Sequence, residues 1–469
     1  MRFKSFKKIF AALIATALCL TVSSCGKGRV EQVSEAAGKT ADGKKTVTMY
    51  SLYTDSEFEK AVVDFNRASS EYQVEVTEYS KEYPDDPLTR FNNDIIAGKL
   101  PDLILLSPSM PVDSYISKGL LADLYEFMDK DETIDRSDCL ESVLKAYETN
   151  GGLYELVPGF SVTTLVGKTS LVGSTPGWTV DEFIQLADAN PDKYIIGDEH
   201  KLSLTQAEFF SAAVNGCYEN FINRETGECS FDSDEFIKLM EFSNRFPKEV
   251  DREQLYANSS NYWNDYYKAC RDGGVLLIVY HLRSFGSIRE LEKLCFANSV
   301  TFKGYPGAAG NGAVFDLRTE IAVTSKASEP DGAWEFVKYL LSDEYQRRYT
   351  AEDSEEESGQ FPIKKSVFEE LARKAMERPY YENDDGIRVY YEKTQWNGSY
   401  TVSIGVNTDS DNKKVTDFIN SVENIRRYDQ QINSIINDEA SAYFDGKKSA
   451  EEAAAVIRNR VQNYLDENR

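Results

Sequence analysis

A short strand followed by a helix, late in the chain, constrains the fold more than any other part of the sequence. Residues 319–324 form a strand-like run, and a polar turn with Ser328 and Pro330 follows. Apolar side chains then recur at helical spacing, at Ala333, Phe336, Val337, Leu340 and Leu341. This spacing predicts a helix with one buried face. A strand–helix unit so late in the chain predicts a return to a sheet that was begun much earlier.

The length and charge of the chain narrow its class. At 469 residues the chain is too long for one ordinary hydrophobic core, so two lobes are expected. The apolar content of 41% is that of a globular protein. The net charge of −25 repels nucleic acid and anionic lipid and disfavours phosphate-rich ligands, whereas neutral ligands such as sugars remain compatible with it. We therefore expect no nucleic-acid partner.

The first 25 residues predict export. Four basic residues precede the apolar run 9–20, which is too short for an ordinary transmembrane helix, and small residues follow it. Val-Ser-Ser-Cys, ending at Cys25, resembles a bacterial lipobox, in which the cysteine is lipidated and becomes the mature N-terminus. We expect a signal peptide over 1–24, and a lipidated N-terminus with a flexible linker over 25–45. Ordinary signal cleavage, with Cys25 incidental, is the alternative.

The remaining cysteines do not predict a disulfide scaffold or a metal site. They are odd in number, in a large chain, and no two have the CxxC spacing of a metal ligand pair. They are Cys139, Cys217, Cys229, Cys270 and Cys295. Burial as small apolar residues is expected for most of them, and a pairing of Cys217 with Cys229 across a turn stays open.

The first hundred residues after the linker alternate strands and helices. Residues 46–50, 72–79 and 101–106 have strand patterns, and helical patterns separate them. This order predicts an α/β fold with a parallel, doubly wound sheet. Ligands of such sheets lie beyond the carboxyl ends of the strands, so the turns that begin at Ser51 and Ser107 are expected to face a ligand. A further buried strand is predicted over 275–280, and the turn after it is also expected to face a ligand.

Several short motifs occur in an order that resembles one known family. They are Pro101-Asp102 before a strand, Gly119-Leu120-Leu121 after it, Tyr154 to Pro158, Pro176 to Phe183, Phe361-Pro362, and the stretch from Gly446 to Ala453. Together they resemble the extracellular solute-binding proteins of sugar ABC transporters, of the family 1 lipoprotein type. Two positions depart from that family's pattern: Thr163-Thr164 stands where many members have Tyr-Asn, and Arg283 stands near a position that often holds a stacking Trp.

The resemblance implies a two-lobe, periplasmic-binding-protein-like fold of type II, with a ligand cleft between the lobes. Its three crossovers are expected near residues 155–160, 315–320 and 361–363. The N-terminal lobe would comprise 46–157 plus 318–362, and the C-terminal lobe 158–317 plus 363–469.

The predicted ligand-binding residues come from turns at strand ends, from a helix start that resembles a ligand-facing family segment, and from large aromatics outside any core pattern. They are Tyr53, Ser107, Ser109, Gln206, Phe209, Trp263, Tyr280, His281, Arg283, Phe285 and Trp396. No catalytic residue, metal or cofactor is expected.

The sequence lacks the usual signatures of an enzyme. Residues 159–163 fail the nucleophile-elbow pattern, Gly167-Lys168-Thr169 lacks the spacing of a phosphate loop, and there is no HExxH. We therefore expect a lipid-anchored solute-binding protein, on the outer face of the bacterial cytoplasmic membrane or in the periplasm. As a monomer, it would deliver a carbohydrate, most simply an oligosaccharide, to ABC permease subunits. Peptide or polyamine ligands are the alternatives, followed by a surface glycoside hydrolase or a structural lipoprotein.

Overall fold

The computed structural model of the protein describes residues 43–107, 109–197, 204–215, 218–223, 226–251, 262–307, 311–316, 319–350, 359–383, 386–396, 401–426 and 429–467. The predicted signal peptide, the lipidation site Cys25, most of the predicted linker and Cys217 lie outside these residues. No helix within the described ranges is long and apolar enough to cross a membrane. The four cysteines that are described, Cys139, Cys229, Cys270 and Cys295, are buried thiols.

The strands are β1 (Lys45–Ser51), β2 (Tyr72–Glu78), β3 (Leu103–Leu106), β4 (Glu148–Thr149), β5 (Gly152–Leu153), β6 (Gly159–Lys168), β7 (Tyr194–Gly197), β8 (Ile222–Asn223), β9 (Glu228–Cys229), β10 (Val275–Leu282), β11 (Val300–Phe302), β12 (Val314–Asp316), β13 (Glu320–Val323), β14 (Phe361–Pro362), β15 (Tyr380–Glu382), β16 (Arg388–Tyr390), β17 (Thr394–Trp396), β18 (Thr401–Ser403) and β19 (Asn424–Ile425).

The α-helices are Ser56–Ala68, Tyr79–Glu82, Pro87–Ile96, Val112–Ser117, Leu124–Met128, Glu141–Tyr147, Thr169–Val172, Val180–Asp188, Gln206–Phe210, Asp234–Ser243, Tyr262–Asp272, Ser287–Glu290, Pro330–Leu340, Asp343–Tyr349, Lys365–Ala375, Asp409–Asn420, Gln430–Phe444 and Ala450–Glu467. Short 3₁₀ or π turns occupy Arg136–Asp138, Ser211–Asn215, Tyr218–Phe221 and Leu291–Cys295.

The first sheet has the strand order β13-β3-β1-β2. Strands β1, β2 and β3 are parallel, as the alternation of strands and helices predicts, and β13 joins the edge of β3 antiparallel. The late strand therefore returns to the sheet begun at β1, which confirms that prediction. The helix Pro330–Leu340 follows β13, and Phe336 packs edge-on against Phe65, with ring centroids 5.1 Å apart. This packing closes the core of the first lobe.

The second sheet has the order β19-β12-β6-β10-β7, and β11 also pairs with β6. Its long central strand β6 runs antiparallel to both β10 and β12, while β10 is parallel to β7 and β12 is parallel to β19. Helices cover this sheet and form the second lobe. Strand β10 ends at Leu282, two residues later than the predicted strand, so His281 lies within the strand and not in the loop after it.

Three chain segments connect the two sheets, and they lie next to one another. Leu156 bridges Ile321, Phe361 pairs with Phe160, and Phe315 pairs with Val162. The predicted crossovers near 155–160, 315–320 and 361–363 thus contact one another through backbone pairing. We expect a change in lobe orientation, if one occurs, to take place at these segments.

The last two helices belong to the second lobe and match the predicted C-terminal pair. Ser449 and Glu452 form a reciprocal cap at the start of the final helix: the Ser449 N–H donates to the Glu452 carboxylate at 2.9 Å, and the Glu452 N–H donates to Ser449 Oγ at 3.2 Å. This capping box gives a physical reason for the motif from Gly446 to Ala453. Both helices pack against Asp234–Ser243 through a shared hydrophobic cluster.

Candidate functional site

In the first lobe, polar side chains lie where the parallel strands end. Tyr53 follows β1 and is 60% exposed, and Ser107 follows β3. The two side chains line a small cavity together with Thr319, which directly precedes β13. Ser107 and Ser109 are joined by a hydroxyl–hydroxyl hydrogen bond of 3.1 Å. The structure therefore brings the three predicted first-lobe residues to one edge of the sheet.

In the second lobe, a polar cluster lies on the three neighbouring strands β6, β10 and β12, near the carboxyl ends of β10 and β12. Thr163 of β6 is paired with His281 of β10, and its hydroxyl lies 2.8 Å from His281 Nδ1 and 3.0 Å from Asp316 Oδ2. A hydroxyl has a single proton. Since the carboxylate can only accept, Thr163 donates to Asp316 and accepts from the Nδ1–H of His281. This chain of hydrogen bonds fixes the ring orientation of His281.

The cluster extends to Arg426, immediately after β19. Its guanidinium lies 3.2 Å from Asp316 Oδ2, and Ser161 Oγ donates to the Asp316 backbone carbonyl at 3.3 Å. The side chains of His281, Asp316 and Arg426 are each roughly 30% exposed, so the cluster is open to solvent on one side. It offers charged and neutral hydrogen-bonding groups to a ligand.

The two polar edges are close to each other. Asp316 belongs to the second-lobe cluster and Thr319 lines the first-lobe cavity, and they are three positions apart in the chain. Three residues, even fully extended, span at most about 11 Å. The two edges are therefore joined by a short connection at the crossing segments.

A cavity of about 300 Å³ lies beside the third crossing segment and is lined by Arg283, Phe285 and Phe361, among others. Glu370 also lines it, and hydrogen bonds from Lys374 and Arg347 lower the pKa of this carboxyl to about 2. Glu370 is therefore ionised at every physiological pH. Phe285 is 2% exposed and packs edge-on against Phe361, so its ring is mainly a wall of the core.

Three predicted site residues make their contacts elsewhere in the second lobe. Phe209 is completely buried and stacks on Phe246 at 4.2 Å, and it offers no surface to a ligand in this conformation. Gln206 is nearly buried and donates to Asn244 at 3.0 Å. Tyr280 points to the opposite face of β10 from His281, since side chains alternate along a strand, and burial raises its pKa.

Two predicted aromatic residues have no described side chain. Trp263 lies in the helix Tyr262–Asp272 and Trp396 lies in β17, and only their place in these elements is described. Conversely, sequence reasoning missed Thr163, Asp316 and Arg426. The pair Thr163-Thr164 inside an apolar strand was the one available signal, because two hydroxyls in a buried run call for partners.

Comparison with known proteins shows the family. Residues 60–379, more than half of the chain, match the model of the bacterial extracellular solute-binding proteins. The chain belongs to this family. No curated protein sequence matches the chain.

Solved structures share the fold at low identity. The sugar-binding protein MalE from Xanthomonas citri is 16% identical, with a TM-score of 0.54 over 90% of this chain and 98% of that one. A cycloalternan-bound ABC substrate-binding protein from Listeria monocytogenes is 15% identical, with a TM-score of 0.50 over 90% and 99%. The cyclic alpha-maltosyl-1,6-maltose binding protein from Arthrobacter globiformis is 12% identical, with a TM-score of 0.50 over 91% and 100%. These likenesses identify the two-lobe fold of solute-binding proteins.

Proposed function

We propose that this protein binds a carbohydrate, most simply an oligosaccharide, in the cleft between its lobes. The observation that supports the proposal is the pair of polar strand-end edges, which lie close to three adjacent crossing segments in a solute-binding fold. The proteins of similar structure that bind sugars support the choice of ligand class. The boundaries that we propose for the lobes are 46–157 plus 318–362 and 158–317 plus 363–469.

The chemistry of the two edges suits sugar hydroxyls and sugar ring faces. The exposed ring of Tyr53 offers an apolar face to a pyranose, while Ser107 and Ser109 provide hydroxyls from the same lobe. From the other lobe, His281, Arg283 and the Thr163–Asp316 pair would hydrogen-bond to the hydroxyls. A ligand held by both edges stabilises the closed arrangement, because only that arrangement provides both sets of contacts.

Membership of the family supports a role in transport. We propose that the closed protein docks on the permease subunits of an ABC importer and releases its ligand unchanged, without acting as an enzyme.

We further propose that Cys25 carries the lipid that holds the protein, as a monomer, at the outer face of the cytoplasmic membrane. Sedimentation of the full chain with membranes, and its loss in Cys25→Ser, tests the anchor; equal sedimentation of both proteins contradicts it.

Thermal shift with a panel of mono- and oligosaccharides, peptides and polyamines tests the ligand class. A ligand that binds only the folded protein raises the unfolding midpoint, and the rise grows with its concentration. We expect oligosaccharides to raise it and the bound sugar to be recovered chemically unchanged after long incubation. A rise with peptides or polyamines alone contradicts the proposal, and cleavage of the sugar would indicate a hydrolase.

Calorimetry on two arginine variants tests the proposed cleft. Arg283→Ala should weaken binding by about 1–3 kcal/mol, the cost of losing a charge-assisted contact, while the unfolding midpoint of the ligand-free protein changes little. Arg67→Ala is the control, because the Arg67 side chain is 76% exposed on the helix Ser56–Ala68. Equal affinities for Arg283→Ala and wild type would remove this residue from the site.

A further inference from the structure

One hairpin carries an unusual concentration of exposed aromatic rings. Strands β15 and β16 pair antiparallel, and Tyr380, Tyr381, Tyr390 and Tyr391 are 38–56% exposed. With Ile387, they make up five of the ten most exposed large hydrophobic side chains among the described residues. A local concentration of exposed hydrophobic side chains often marks a binding surface.

The rings occupy both faces of the hairpin. Tyr380 and Tyr390 are opposite each other, with ring centroids 5.6 Å apart. Tyr381 points to the other face, where its ring lies 6.4 Å from that of Tyr391. A cross-strand aromatic pair on one face stabilises a hairpin by itself. The second pair, Tyr381 and Tyr391 on the opposite face, is not needed to stabilise the hairpin.

The base of the hairpin lies near the loop that follows β10 and carries Arg283. Tyr391 donates its N–H to the Pro379 carbonyl, which closes the base of the hairpin. Two residues further on, Lys393 is 3.2 Å from Glu290, in the short helix that follows the Arg283 loop. Asn407 then donates to the Phe285 carbonyl at 2.7 Å. Since two residues span at most about 7 Å, the tyrosines lie close to the loop at the end of β10.

Charged groups accompany the rings. The Arg388 guanidinium lies 4.4 Å from the centroid of the Tyr380 ring and 3.6 Å from the Glu382 carboxylate. Both charged side chains are more than half exposed. Aromatic faces next to exposed hydrogen-bonding groups match a pyranose, which has an apolar C–H face and hydroxyls around its rim.

We propose that the Tyr380–Tyr391 hairpin is an outer subsite that extends the cleft and stacks the distal units of a long oligosaccharide. This inference rests on the proposed carbohydrate-binding function and adds a length preference to it. A disaccharide would fill the cleft between the strand-end edges, and a chain of five or six units would reach the tyrosines.

The test is calorimetry with malto-, cello- and xylo-oligosaccharides of two to six units. The variant is Tyr381→Ala/Tyr391→Ala, which keeps the Tyr380–Tyr390 pair that stabilises the hairpin. We expect about tenfold weaker binding of the hexasaccharide, an unchanged affinity for the disaccharide, and an unchanged unfolding midpoint. Tyr381→Phe/Tyr391→Phe keeps the rings and should restore hexasaccharide affinity. Tyr194→Ala is the control, because Tyr194 is 44% exposed at the opposite, amino end of β7.

The possible failures are distinct. If wild type binds sugars and the Ala variant loses no affinity for the hexasaccharide, or loses equal affinity for all lengths, the outer subsite is wrong and the proposed function stands. If wild type binds no member of the three series, the carbohydrate function is contradicted and the outer subsite with it.

Discussion

Asp102 holds two layers of the first lobe together with a single carboxylate. It accepts hydrogen bonds from the Thr48 N–H at 2.7 Å, from the Ser328 hydroxyl at 2.8 Å and from the Glu329 N–H at 2.9 Å. These partners belong to β1 and to the turn that begins the helix Pro330–Leu340. Burial alone would raise the pKa of Asp102, but the hydrogen bonds from Glu329, Thr48 and Ser328 outweigh it and lower the pKa.

We expect Asp102→Asn to destabilise the protein by about 3 kcal/mol, since an amide presents an N–H group to donors that need an acceptor. A lowered native pKa means that the carboxylate stabilises the fold above its unfolded pKa of about 3.9 and loses this contribution as the pH falls below it. Urea unfolding from pH 7 to pH 3 should therefore show a smaller pH dependence in the variant. Asp417→Asn, at a 59% exposed side chain, is the control and should change stability by less than about 1 kcal/mol. Equal pH dependence of Asp102→Asn and wild type would contradict this role.

Single residues also show what sequence reasoning could reach. Pro101-Asp102 was recognised as a motif, and the hydrogen bonds of Asp102 supply its physical reason. Asp316 and Arg426 were not predicted, because their contact depends on the pairing of β12 with β19, which are more than a hundred residues apart. No local pattern records such a contact. The ligand-contact roles of the predicted residues stay predictions.

Among the connecting elements, the glycine-rich loop before β12 has the strictest backbone requirements. Gly304 has φ of +78° and Gly312 has φ of +67°. A Cβ at Gly304 would lie 1.7 Å from the Asn311 carbonyl oxygen, and a Cβ at Gly312 would lie 1.9 Å from that of Tyr305. The two arms of the loop therefore lie so close together that there is no room for a side chain at Gly304 or Gly312.

Gly304→Ala should destabilise the protein by about 3 kcal/mol or more, because it combines an unfavourable φ with a backbone clash. Gly307→Ala is the matched control from the same loop: its Cβ would meet the flexible Asn220 side chain at 3.1 Å, and its φ lies outside the left-handed region. We expect a much smaller loss for the control, measured by thermal or urea unfolding. Similar losses for the two variants would show that backbone crowding at Gly304 is not the cause.

The elements were largely predictable, since their patterns are local. Strands β1, β2 and β3 match the predicted runs, and the residues predicted to face the core from the helix Pro330–Leu340 are buried. The hairpin of β15 and β16 was not predicted, because Tyr-, Asp- and Asn-rich sequence has no clear period. Trp178 is 7% exposed and donates to the Gly304 carbonyl at 2.9 Å, so it packs at the start of the helix Val180–Asp188.

At the scale of the whole molecule, we expect ligand binding to rotate the lobes towards each other about the three adjacent crossing segments. Small-angle scattering of the protein with and without a saturating oligosaccharide should show a smaller radius of gyration when ligand is bound. The same comparison with a monosaccharide that gives no thermal shift is the control. An unchanged radius at saturation would mean that the cleft binds its ligand without closure.

The antiparallel position of β13 also has a consequence for biosynthesis. A chain is synthesised from its amino end, so the outer edge of β3 cannot pair with β13 until residues 107–319 have been made. At ordinary translation rates this delay is roughly 10–40 s. During that time the edge of β3 and the apolar side chains of Phe58 and Phe65 lack their final cover, since Phe336 arrives later still. We therefore expect truncation before residue 320 to leave an aggregation-prone fragment.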